Sequence, residues 1–265
     1  MVISTYRIDY KGRPSIKIRP IFDVHYGNQW CDVDAFKRFI SEADENTWFI
    51  GGGDLLDSII ISDIRRYKKS SDATQSDAII NDSIDGMIEI LRPIKDRVIG
   101  LGHGNHEENI LKYCSTDITR FISTALGIRQ LGYSCMTRLL LSYDGGRTRT
   151  VVLYQHHGFG GGSRTPGGDL TKYSKHAANY EADIYMYGHV HKRQTEPISR
   201  LSIHGRELIS APKHLVICGT FLKTLSDGIP ATYAEVGGYP PVSIGGYEIG
   251  IKPNDKWVDI SVSDV

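Results

Sequence analysis

Short apolar runs that break abruptly into glycine and polar residues recur along this chain. Residues 98–101 give way to Gly102 and then bring Asn105, His106 and Glu107 into adjacent positions, a strand ending in a turn of polar chemistry. Residues 47–50 end likewise in Gly51-Gly52-Gly53, followed by Asp54-Leu55-Leu56-Asp57. Residues 16–22 run into Asp23-Val24-His25, residues 150–155 into His156-His157-Gly158, and residues 183–187 into Gly188-His189-Val190-His191. Between these strands the spacing turns helical. Val33, Phe36, Ile40 and Ala43 share one face behind a cap at Asp32 or Asp34. Ile80, Ile84, Met87, Ile88 and Leu91 share another, in a helix that Pro93 closes. Residues 108–113, 117–126 and 170–180 read as three more helices.

Two hairpins are expected. Residues 6–10 and 16–22 flank the turn-like Lys11-Gly12-Arg13-Pro14, and residues 133–143 alternate into Asp144-Gly145-Gly146 before 150–155 returns. Beyond residue 192 the pattern is mostly β, with strands expected at 198–203, 207–209, 215–221, 247–251 and 257–262. No internal repeat or interdomain linker interrupts the series. The 265 residues therefore read as one α/β domain over 1–265, in which 192–265 is a mostly β completion.

Composition narrows the partners. Acidic and basic residues balance at 31 each, so no global field recruits nucleic acid or a membrane. Arg65, Arg66, Lys68 and Lys69 surround Tyr67, which fits a solvated helix face or a phosphate-tracking surface. The four cysteines show no CxxC spacing, so they read as reduced, packed thiols rather than a zinc ribbon or disulfide frame. The first residues are polar, without the apolar core of a signal peptide, and no run reaches the roughly 18 apolar residues of a membrane span. A cytoplasmic protein without membrane contact is the expectation. The segment 160–168, GGGSRTPGG, is a flexible connection or a phosphate cradle with Arg164 as its clamp.

The candidate chemistry lies at the five strand ends: Asp23 with His25, Asp54 with Asp57, Asn105 with His106, His156 with His157, and His189 with His191. In open α/β sheets functional groups gather outside the carboxyl ends of strands, so these clusters can converge on one crevice. Oxygen and nitrogen ligands without thiolate suit a site for two divalent ions, drawn from Mn, Fe, Zn or Mg. Taken singly, each histidine or aspartate also reads as a hydrogen-bonded or turn residue, and His103, His176, His204 and His214 keep that reading.

In order, DVH (23–25), GDLLD (53–57), GNHE (104–107), HHG (156–158) and GHVH (188–191) resemble the five-block signature of the calcineurin-like metallophosphoesterases. The resemblance implies a four-layer αββα sandwich of two mixed β-sheets flanked by helices, carrying a dinuclear metal centre with manganese foremost. Asp23, His25 and His191 would hold one ion; Asn105, a fourth-block histidine and His189 the other; Asp54 would bridge them. In that fourth block His156, the first residue past the strand, is preferred and His157 stands second. His106 would sit beside the substrate phosphate with Asn105, and Asp57 would orient a ligand.

Family protein phosphatases carry arginines just after the GDxxD block and just before GNHE; here Ser58 and Gly102-His103 occupy those places. Loss of those clamps suits a singly charged phosphodiester. The expectation is a phosphodiesterase acting on nucleic acid, in the manner of the family's nucleases, or on nucleotides. The alternatives are a phosphomonoesterase, nucleotidase-like or protein-phosphatase-like, and a non-catalytic scaffold of the same fold.

Overall fold

A computed structural model describes residues 1–58, 79–143, 147–225, 228, 231–254 and 258–265. The basic Arg65–Lys69 segment and the Asp144-Gly145-Gly146 turn lie outside the described residues. The chain runs through β1 (Val2–Asp9), β2 (Ile16–Ile21), α1 (Val33–Ser41), β3 (Thr47–Gly52), α2 (Ile79–Leu91), a 3-10 segment (Arg92–Arg97) and β4 (Val98–Gly102). It continues with α3 (Asn105–Cys114), α4 (Ile118–Leu126), β5 (Gln130–Gly132), β6 (Ser134–Ser142), β7 (Thr148–His156), α5 (Gly168–Ala177) and β8 (Ile184–Tyr187). Last come β9 (Arg193–Ile198), β10 (Leu201–His204), β11 (Glu207–Ser210), β12 (Lys213–Cys218), α6 (Tyr233–Val236), β13 (Tyr247–Pro253) and β14 (Val258–Asp264).

Two six-stranded mixed sheets form, ordered β1-β6-β7-β8-β12-β9 and β14-β13-β2-β3-β4-β5. Three apolar layers explain why they stack. Ile18, Ile50 and Ile99 of one sheet meet Leu139, Leu153, Ile184 and Val216 of the other in a shared core. On the outer face of the second sheet, Phe49 and Leu101 pack against Phe36 and Phe39 of α1, Met87 and Leu91 of α2 and Ile122 of α4. On the outer face of the first, Tyr154, Tyr185 and Leu215 pack against Tyr173 and Ala177 of α5. Strands sandwiched this way are apolar on both faces: Trp48 and Ile50 of β3 point into the central core while Phe49 points to the helices. The expected αββα arrangement is what forms.

Several local expectations are corrected. β1 and β2 do not form a hairpin: β1 pairs with β6 in parallel and β2 with β3 and β13. The Lys11-Gly12-Arg13-Pro14 turn carries the chain from one sheet to the other. The strand expected at 198–203 breaks into β9, which pairs with β12, and β10, which pairs with β11 in a separate hairpin. As expected, α2 ends at Leu91, just before Pro93, which stands in the first turn of the 3-10 segment that follows to Arg97. α3 starts at Asn105 rather than 108, so the GNHE block forms the first turn of a helix. The Asp32 carboxylate caps α1 by accepting from the Ala35 N–H at 2.9 Å. All four cysteines are free, and no helix among the described residues is long and apolar enough to cross a membrane.

Candidate metal centre

The carboxyl ends of β2, β3 and β4, parallel in one sheet, meet those of β7 and β8, parallel in the other. Asp23 and His25 follow β2, Asp54 follows β3, Asn105 and His106 follow β4, His157 follows β7, and His189 and His191 follow β8. Glycines permit the approach. A Cβ at Gly104 would lie 2.1 Å from Asp54 Oδ1, and one at Gly188 would lie 2.6 Å from Asp23 Oδ2.

Two triads emerge, Asp23–His25–His191 and Asp54–His157–His189, each with ligand atoms within 4.8 Å of one another. Asn105 joins the second triad: its Oδ1 lies 3.0 Å from His157 Nε2 and 2.7 Å from His189 Nδ1. Asp54 lies between the triads, with Oδ2 3.3 Å from His157 Nε2 and 3.9 Å from His25 Nε2. A third group, His25–Asp57–His106, is a hydrogen-bonding network. Asp57 Oδ1 lies 3.1 Å from His25 Nδ1, the Asp57 carbonyl accepts from His106 Nδ1, and Asn28 Nδ2 donates to Asp57 Oδ2 at 2.9 Å.

These bonds fix tautomers. The Asp57 carboxylate requires a proton on His25 Nδ1, and the Gly52 carbonyl, 3.1 Å from His157 Nδ1, requires one there. In the neutral ring each Nε2 therefore presents a lone pair. His25 Nε2 then faces His191 Nε2 at 3.0 Å, and His157 Nε2 faces two oxygen acceptors. Lone pairs aimed at one another repel unless a proton or a metal ion stands among them. Asp23 adds to this: Oδ2 accepts from the His189 N–H at 2.7 Å, while buried Oδ1 has no hydrogen-bond partner. The donor set fits divalent metal, with one carboxylate placed between two nitrogen and oxygen clusters.

Titration behaviour describes the same field. Burial opposes charge on His25 and His157, yet neighbouring carboxylates outweigh it and raise both to about 9, Asp57 acting most strongly on the first and Asp54 on the second. Burial lifts the Asp23 carboxyl to about 7. Against its own burial, Asp54 is held well below the carboxylate range by His157, His106 and His25. Burial, then the charge of His157, lowers His189 to about 4. The cluster takes up positive charge wherever its carboxylates dominate.

Backbone strain concentrates here as well. Among the described residues seven non-glycine positions have positive φ, and five are Asp23 (49°), His25 (54°), Asp54 (51°), His189 (72°) and His191 (59°). Such conformations cost roughly 1–3 kcal/mol each and persist where surroundings over-determine them.

His156, the preferred fourth-block ligand, is not in the cluster; His157 is. Successive residues of β7 face opposite sides of its sheet. Tyr154 and His156 turn outward towards α5, where His156 lies 5.1 Å from His176 and 5.7 Å from Phe159, ring centre to ring centre. Its Nδ1 accepts from the Gly158 N–H at 2.9 Å, and burial with nearby His176 lowers it to about 4. Gln155 and His157 turn inward, donating to the Gly51 and Gly52 carbonyls. Arg164 is exposed on its loop, and none of the bonds that define the cluster involves it.

Glu107 is a residue of the site that the sequence pattern left without a role. Its buried carboxylate accepts from four backbone N–H groups, Asp54 (2.9 Å), Leu55 (2.8 Å), Leu56 (3.2 Å) and Gly104 (2.7 Å). It thus locks the Asp54 loop onto the start of α3. The signal available was its place three residues after the helix cap, where a glutamate reaches back to the cap N–H. Thr220 Oγ1 at 2.7 Å and the Phe221 N–H at 3.1 Å hold the Asp23 carbonyl from the far end of the chain.

The calcineurin-like phosphoesterase family matches over residues 23–193. Among solved structures the chain is similar to vacuolar protein sorting 29 from Cryptosporidium parvum, at 12% identity over 95% of this chain and 98% of that one, TM-score 0.39. A metallophosphoesterase from Sphaerobacter thermophilus aligns at 11% identity over 94% and 88%, TM-score 0.40. The calcineurin-like phosphoesterase YfkN from Bacillus subtilis aligns at 12% over 94% and 90%, TM-score 0.36. No curated protein matches the chain.

Proposed function

The chain belongs to the calcineurin-like phosphoesterase family, and on that premise we propose that this metal-dependent phosphoesterase is a two-metal phosphodiesterase acting on nucleic acid or nucleotides. Asp23, His25 and His191 would hold one ion and Asn105, His157 and His189 the other, with the Asp54 carboxylate, placed between the two groups, available to both. When bound, a pair of divalent cations, manganese in the first instance, would supply charge neutralisation at the phosphoryl oxygens and acidify water enough for attack near neutral pH. The side chains do the rest. Asp57 and Asn28 fix the His25 ring, and Glu107 fixes the Asp54 loop. His106 has Nδ1 held by the Asp57 carbonyl, and its Nε2 lies 3.9 Å from Asp54 Oδ2. When protonated there, His106 donates to the leaving ester oxygen.

The diester preference rests on one observation. Ser58 and Gly102-His103 stand at the two places where the family's protein phosphatases carry phosphate-gripping arginines. A phosphate dianion needs such clamps more than a monoanionic diester does. The balanced charge of the chain leaves nucleic acid and nucleotides both open as substrates.

The test is activity of metal-stripped protein, restored separately with Mn, Zn and Mg, on matched chromogenic bis-ester and mono-ester phosphates, with Asn105→Ala as the blank. Faster turnover of the bis-ester supports the diesterase and leads to single-stranded and duplex DNA. Faster turnover of the mono-ester overturns it in favour of a phosphatase. Metal uptake without turnover of these esters or of DNA points to a scaffold.

A further inference from the structure

The glycine-rich segment 160–168 does not hang free. The backbone of Gly160 comes up to the His189 imidazole. A Cβ at Gly162 would stand 3.7 Å from Val190 Cβ, and the Ser163 carbonyl accepts from Lys192 Nζ. The loop is thus laid along the metal-binding GHVHK segment, position against position. One side chain ties the arrangement together. Asp169, at the start of α5 and only 1% exposed, accepts from the Ser163 N–H with both oxygens at 3.0 Å. It also pairs with Lys192 Nζ at 2.7 Å and Lys172 Nζ at 3.1 Å, and Lys172 in turn donates to the Gly161 carbonyl at 3.1 Å.

A buried carboxylate with both oxygens engaged by three separate elements is a built feature. Its position matters because His189 and His191 have positive φ, which the chain must hold in place. Lys192 follows His191 directly. Resting on the metal reading above, we propose that Asp169 is a positioning residue, which clamps the glycine-rich loop onto residues 189–192 and so holds His189 and His191 in their metal-binding geometry. The same clamp fixes the loop that carries Arg164 along the rim of the site.

The experiment uses the full chain, stripped of metal and titrated with manganese(II) by calorimetry, alongside amide hydrogen exchange. Asp169→Asn keeps the shape but sets an amide against Lys192. Its manganese affinity should fall roughly tenfold, the usual scale when the partner orienting a ligand is lost. Exchange should accelerate at residues 158–165 and stay unchanged in α1. A merely structural role would lower the melting temperature and leave the affinity of the folded protein at the wild-type value. Should that variant not fold, Lys172→Gln, with a side chain 24% exposed, removes the Gly161 bond and one arm on Asp169. It should weaken manganese roughly threefold, a fraction of the full effect. Wild-type affinity in every folded variant overturns the clamp. Failure of the wild-type protein itself to take up manganese overturns the metal reading, and the clamp with it.

Discussion

Glu107 offers the sharpest perturbation short of the ligands themselves, because its four partners are backbone N–H groups with no alternative acceptor provided by the bonds described. Oε2 serves Asp54 and Gly104, and Oε1 serves Leu55 and Leu56. Glu107→Gln preserves volume, yet in either orientation its amide N–H₂ must face two of those donors. Two charge-assisted bonds are lost at about 1.5–3 kcal/mol each, or about 3–6 kcal/mol together. Glu107 is 4% exposed, so water recovers little of this. Against a total stability of roughly 5–15 kcal/mol the loss is large. In urea, with a slope of about 3 kcal/mol per molar, the unfolding midpoint should drop by roughly 1–2 M. Because in either orientation at least one freed N–H group belongs to the Asp54 loop, manganese affinity should fall with stability. The control is Glu108→Gln, half-exposed on the next position, which should move the midpoint by less than about 0.5 kcal/mol equivalent. A Glu107→Gln midpoint indistinguishable from wild type would refute the account of how Asp54 is held.

Two further outcomes follow from the geometry. His157→Ala should abolish manganese uptake at the Asp54 triad, whereas His156→Ala should leave uptake within a few-fold of wild type; calorimetry on both variants decides, and the reverse ranking contradicts the facing of β7. The second concerns pH. Carboxylates lift His25 and His157 to about 9 in the metal-free fold, above their ordinary 6.5. Protonation of a raised group stabilises the fold fully below about 6.5, and that contribution is lost as pH rises through about 9. Metal competes for the same lone pairs, so manganese affinity should climb between pH 6.5 and 9 and level off above, with Asp23 adding to the rise below about 7. Titrations at half-unit pH steps that give a flat profile would contradict it.

Much of this site was legible in the sequence because its elements announce themselves locally. An apolar run that stops at glycine and delivers Asp54, or Asn105 and His106, is a strand end carrying polar chemistry wherever the strand sits. What was not legible depended on which side of a sheet a residue faces. β7 is buried on both faces, Leu153 in the central core and Tyr154 against α5, so no polar alternation marks the direction in which His156 or His157 turns. The Lys11-Gly12-Arg13-Pro14 turn was read as a hairpin because a reversal within a sheet and a passage between sheets use the same residues. Glu107 escaped because three of its partners lie more than 50 residues away and are backbone groups, invisible to any pattern of side chains. The tie of Asp23 to Thr220 across 197 residues is hidden for the same reason.

The central claim, two cations sharing Asp54, is tested most directly by anomalous diffraction from crystals of the protein grown with manganese. The account predicts two anomalous peaks about 3.5–4 Å apart. One should lie among Asp23, His25 and His191, the other among Asn105, His157 and His189, with Asp54 touching both. A single peak, or one coordinated by Asp57 and His106 or by His156, would contradict it.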